Sequence, residues 1–199
     1  RRDAFCGKLS VCNNLYQYRI PFTDTATHTS KVASDAFRTD LRRFASICRV
    51  VGGLRHARIG AIGARPAAFQ TMRSSEKLLQ ASGITVVPVD LSEILSEAER
   101  IDSRATEVNR RLDEIRAYGT IPAYVQESRI VLQAKFGLAI ERWMSANQID
   151  AAAIQCWESM QKNYGCAPCH TMSMLGDRMV PCACDLNRGR TVTAKVISA

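Results

Sequence analysis

The densest group of reactive side chains is Cys166-Ala-Pro-Cys169-His170, with Cys182-Ala-Cys184 a short way downstream. Four chemistries share this pattern: a redox dithiol, a metal clip closed by the second cysteine pair, a c-type haem attachment, or two small thiols buried at a helix start. Pro168 suits the first turn of a helix, where its missing N–H costs nothing. Cys-x-x-Cys combined with Cys-x-Cys is not a standard zinc-knuckle spacing, and haem attachment needs export. The amino-terminal stretch RRDAFCGKLSVC has no apolar block of signal-peptide length, so the reading predicts no export, a cytoplasmic location and reduced thiols at all eight cysteines.

Two carboxylates form the second candidate site. Glu158 and Asp185 each follow an apolar run, one strand–helix–strand crossover apart. Carboxylates at the mouth of a parallel sheet can coordinate a hard cation or move a proton. The plain alternative for Glu158 is a solvated residue capping a helix.

The elements that must position these groups are legible as periodicities. Phe37, Leu41, Phe44, Cys48 and Val51 recur at helical steps behind Ser34, a capping residue, and Gly52-Gly53 closes that helix. ARIGAIGARP reads as a buried strand feeding a loop, about 67–81 as a helix, and ITVVPVD as a second strand. LSEILSEAERI opens a further helix at Ser92 and Glu93. Val108, Leu112 and Ile115 line one side of the next, and Val125, Leu132, Phe136, Ala139, Ile140 and Trp143 line a long one after Pro122. IDAAAIQCWE reads as a strand ending at Cys156 to Glu158, followed by a helix over about 167–175 and a strand, MVPCAC. Alternation of strand and helix predicts an α/β fold, a parallel-sheet layered (Rossmann-like) domain, with residues 1–56 as a strand-and-helix remnant of a preceding α/β domain. In such sheets ligands gather at the carboxyl ends of strands, which selects 63–66, 158–169 and 184–187.

The net charge of +8 is dispersed among Asp and Glu on helix faces, without a basic run interleaved with aromatics, and this argues against nucleic acid as a partner. No apolar run reaches the roughly 18 to 20 residues that cross a bilayer, so no membrane partner is expected. His28 and His56 read as surface residues, and His170 as part of the cysteine motif rather than a ligand.

Several stretches together resemble the L-fucose isomerase-like sugar isomerases: CGKLSVCNNLYQYRIPFT, RIGAIGARPAAFQTMRSSEKLLQASGI, VDLSEI and, most specifically, IQCWESMQKNYGCAPCHTMSMLGDRMVPCAC. The resemblance implies aldose–ketose isomerisation through an ene-diol, with manganese or another divalent cation and a sugar as partners. It makes the Cys166–Cys169 pair local sequence around an active-site helix, which removes haem. It assigns catalysis to Glu158 and Asp185, and metal binding to Glu158, Asp185 and Asn187; the family's usual Cys-Glu-x-Asp here reads Cys184-Asp185-Leu186-Asn187.

On this reading residues 1–56 are the end of the family's first domain, 57–187 its middle domain and 188–199 a divergent tail. The part of the first domain before Arg1, and the carboxyl-terminal domain with its histidine ligand, are then absent, and the full-length family is expected to be homo-oligomeric. The expectation is an incomplete isomerase with a weakly held cation; the alternatives are a catalytically inactive α/β sugar-binding module or a subunit fragment.

Overall fold

The computed structural model describes residues 3–184, 188, 191, 192 and 195. The chain divides into two compact units, Arg1–Gly52 and Gly53–Ala199.

The first unit is helical. Helix α1 spans Ala4–Gln17 and α2 spans Asp35–Leu54, two residues beyond Gly52. Ser34 caps α2 as its position predicts, its Oγ accepting the Phe37 amide at 3.4 Å. One expectation is corrected here: no strand accompanies these helices among the described residues. The apolar stripe of α2 is exposed, with Leu41 at 51% and Phe44 at 48% exposure.

The second unit carries a sheet of β1 (Arg58–Ile62), β2 (Thr85–Val89), β3 (Ala151–Ile154) and β4 (Cys182–Cys184). The strands run parallel in the order β2-β1-β3-β4. This is the layered α/β architecture that strand–helix alternation predicts. Four helices stand between the strands or follow them: α3 (Glu76–Ala81), α4 (Leu91–Arg100), α5 (Thr106–Tyr118) and α6 (Glu127–Ala146). A fifth, α7 (Cys169–Asp177), lies between β3 and β4.

Helix α6 is the centre of the core, packing against α4, α5 and α7. Its Phe136, Ala139 and Ile140 are fully buried with Val108 of α5, Ile94 of α4, and Ile62 and Ile154 of the sheet. Ala57, Ile59 and Ile84 make a smaller cluster with Leu54, Leu79 and Val192. Small residues in the strands let α6 come close. A Cβ built on Gly60 would lie 2.6 Å from Cζ3 of Trp143, so β1 needs glycine there.

Two element boundaries depart from the sequence reading. The helix expected over 67–81 is a 3₁₀ turn, Gln70–Met72, followed by the short α3. Arg65 holds the preceding loop open, its Nη1 donating to the carbonyls of Pro66 at 2.9 Å and Phe69 at 3.0 Å, and Ser75 caps α3 through the Leu78 amide. Strand β3 ends at Ile154, before Cys156; beyond it the Gln155 side chain bonds the Trp157 carbonyl and Ser159 Oγ, and a π-helical turn, Met160–Tyr164, follows.

Candidate functional site

All four strands are parallel, so their carboxyl ends share one edge of the sheet, and the loops there decide what chemistry is available. Beyond β1 the chain turns at Gly63, whose φ of +86° lies in the left-handed region; a Cβ there would also meet Gln155 Oε1 at 2.5 Å. Gln155, just past β3, joins the two loops. Its Oε1 accepts the Ala64 amide at 2.8 Å, and its Nε2 donates to the Trp157 carbonyl at 3.3 Å and Ser159 Oγ at 3.2 Å. The Trp157 ring meets Phe69 edge-on at 5.2 Å, a second tie between the loops. Sequence reasoning missed Gln155; the signal available was a polar residue directly after the fully buried Ala-Ala-Ala-Ile run.

Glu158 lies at the bend between β3 and the π-helical turn, exposed, with its carboxylate paired to Lys162 one turn on. The Lys162 hydrogen bond, and then its charge, hold the Glu158 carboxyl below the usual carboxylate range. It is therefore ionised at neutral pH. Asp185 and Asn187 lie outside the described residues. Arg188, Thr191, Val192 and Lys195 represent the tail: Thr191 is buried and donates to the Ala152 carbonyl at 3.2 Å.

Beside the β1 exit a pocket of about 300 Å³ is lined by Gly63, Ala64, Arg65, Met72, Arg73 and Arg188. Each arginine is anchored by one edge: Arg65 to loop carbonyls, Arg73 Nε to Gln70 Oε1 at 2.9 Å, Arg188 to Glu76. Three guanidinium groups around one hollow make it electropositive. Their dispersal along the chain left no run for sequence reasoning to find.

The cysteine motif separates in space. Pro168 caps α7 rather than opening its first turn. Cys166 lines a mostly apolar hollow of about 380 Å³ with Tyr118, Ile121, Val125, Ile130 and His170. Burial pushes the Cys166 thiol up to about 12, against a smaller opposing pull from the Arg129 charge. His170 is half-buried in the same hollow, its ring 5.5 Å from that of Tyr118, and burial, then the Arg111 charge, lowers its pKa. Cys169, by contrast, is exposed at the start of α7, and its Sγ lies within 4.8 Å of those of Cys156 and Cys184.

The fold and this strand-end edge define a parallel α/β protein whose polar groups collect where such proteins bind ligands. Comparison with known sequences gives its kinship. Residues 1–55 match the family model described as fucose/sulfoquinovose isomerase, N-terminal domain. Over 188 residues, 93% of the chain, it is 24% identical to the sulfoquinovose isomerase of Priestia aryabhattai. The figures are the same for that of Priestia megaterium (strain ATCC 12872 / QMB1551). The chain is thus similar to fucose/sulfoquinovose isomerases, most directly in its first 55 residues. It spans about 40% of the length of the curated relatives it matches.

Proposed function

We propose that this chain supplies the strand-end part of a sugar isomerase that interconverts an aldose and a ketose through an ene-diol. The observation that carries this reading is the similarity to fucose and sulfoquinovose isomerases, and the ionised Glu158 at the carboxyl edge of the sheet supports it. In the proposed reaction the Glu158 carboxylate, with Asp185, takes the proton from carbon 2 of the open-chain aldose. The hydroxyl proton on oxygen 2 moves to oxygen 1, and return of a proton to carbon 1 gives the ketose. Lys162 holds Glu158 in its deprotonated form, as a base requires, at the cost of some basicity.

A hard divalent cation such as manganese belongs to the proposal; when bound, it would polarise the sugar carbonyl. Among the described residues the carboxylates directly at this edge include Glu158, already paired with Lys162, and Asp90, which caps α4 beyond β2. Hard cations take several oxygen ligands, so this donor set does not by itself fit manganese.

The pocket of Arg65, Arg73 and Arg188 favours an aldose carrying an anionic group, such as a sulfonate, over a neutral one. The working assembly is proposed as a cytoplasmic homo-oligomer. The test is to express the full reading frame carrying residues 1–199 and to follow aldose-to-ketose conversion of sulfonated and neutral aldoses by NMR. Conversion that falls on Glu158→Gln supports the reading, and conversion of sulfonated sugars that falls on Arg73→Ala supports the substrate class.

A further inference from the structure

We infer that Cys156, Cys169 and Cys184 form a three-thiolate site for a soft, zinc-class cation. Their Sγ atoms all lie within 4.8 Å of one another. They come from three places that the fold, not the local sequence, brings together. Cys156 is two residues past β3, Cys169 is the first residue of α7, and Cys184 is the last residue of β4, in register with Ile154 of β3. One member of each cysteine pair is used, and the third thiol comes from outside both. The metal clip suggested by the sequence therefore has different members from the Cys166, Cys169, Cys182 and Cys184 set.

The geometry is close to what a metal requires. Zinc–sulfur bonds of about 2.3 Å place the sulfurs of a trigonal or tetrahedral centre roughly 4 Å apart. The three thiols need only draw together by less than about 1 Å, within reach of small side-chain rotations. Two of the ligands stand on or beside adjacent parallel strands and the third on a helix start, so the backbone is already held by the sheet. Cys169 is exposed while Cys156 is buried, which gives the ion a route in from solvent, and a water would serve as fourth ligand.

Donor type decides the class of ion. Thiolates select zinc, cadmium or copper(I) and are poor ligands for manganese or magnesium. The site is thus chemically separate from the hard-cation role proposed for Glu158, and it does not depend on the isomerase reading. Binding of a divalent ion replaces the thiol protons, releasing up to three to solvent, so affinity rises with pH.

The experiment is a cadmium titration of the purified 199-residue chain, reduced with a phosphine and kept free of oxygen, monitored by the near-ultraviolet thiolate-to-cadmium charge-transfer band. One equivalent should saturate the band, and zinc should displace it. Cys169→Ser and Cys184→Ser should each weaken binding at least about tenfold, while Cys166→Ser and Cys182→Ser leave it unchanged. Cys156→Ser, at a buried position, is interpreted only if its circular dichroism matches the parent; the exposed Cys169→Ser decides the matter if it does not. Absence of the band, its persistence in Cys169→Ser, or its equal loss in Cys166→Ser would overturn the assignment.

Discussion

Gln155 accepts the Ala64 amide at 2.8 Å and so ties the loop after β3 to the loop after β1. The same side chain donates to the Trp157 carbonyl and Ser159 Oγ, so a single amide holds both walls of the strand-end edge. Gln155→Ala removes three hydrogen bonds at once and leaves the Ala64 N–H without its partner. The expected cost is about 1–3 kcal/mol of stability, read from the urea midpoint. An unchanged midpoint would mean that the loops hold their shape without it.

Gly60 lets β1 lie directly against Trp143 of α6. Gly60→Ala places a methyl 2.6 Å from the Trp143 ring and should destabilise the chain by about 1–3 kcal/mol. Trp143→Leu in the same chain should recover much of that loss, giving a coupling energy of about 1 kcal/mol in a double-mutant cycle. Simple additivity would show that the ring moves aside freely.

Burial, and then the Arg111 charge, hold the His170 pKa below its ordinary value. The unfolded chain then binds the proton more readily than the folded one, so His170 makes stability rise with pH between its folded pKa and about 6.5 and fall as pH drops through that window. His170→Gln should flatten the slope of urea midpoint against pH below about pH 6.5. Parallel slopes for parent and variant would show that the histidine feels no such penalty.

Much of the fold was legible because it is written in local pattern. ITVVPV and the run ending in Ala-Ala-Ala-Ile are short and bounded by polar residues or glycine, and both are parallel strands, β3 fully buried and β2 half-buried at the sheet edge. The stripe Phe136, Ala139, Ile140 on α6 is buried as its spacing predicts. What the pattern could not supply was partnership. The stripe on α2 has the same helical spacing yet faces outward, because periodicity specifies a face and not what covers it. The break at Gln70–Met72 depends on how Arg65 bonds to nearby carbonyls, and the grouping of Cys156 with Cys169 and Cys184 depends on strand register. Neither relation exists in one dimension. Glu158 stands at the expected edge, while Asp185 and Asn187 lie outside the described residues.

Residues 1–199 alone should bind manganese weakly. Glu158 is paired with Lys162 and Asp90 is engaged in capping α4, which gives a hard cation little to hold, so the expected dissociation constant is on the order of 1 mM or above. Electron paramagnetic resonance of free manganese measures it. Glu158→Gln should weaken binding further. Submicromolar binding that is indifferent to Glu158→Gln would place the ion elsewhere.

The isomerase reading is tested most directly by deuterium exchange at carbon 2. The full reading frame carrying residues 1–199 is incubated with manganese chloride and an aldose, sulfonated or neutral, in deuterium oxide, and the sugar is followed by proton NMR. The predicted result is loss of the carbon 2 proton signal together with the appearance of ketose, both abolished by Glu158→Gln. Absence of exchange with every aldose tried, or exchange of undiminished rate in Glu158→Gln, would contradict it.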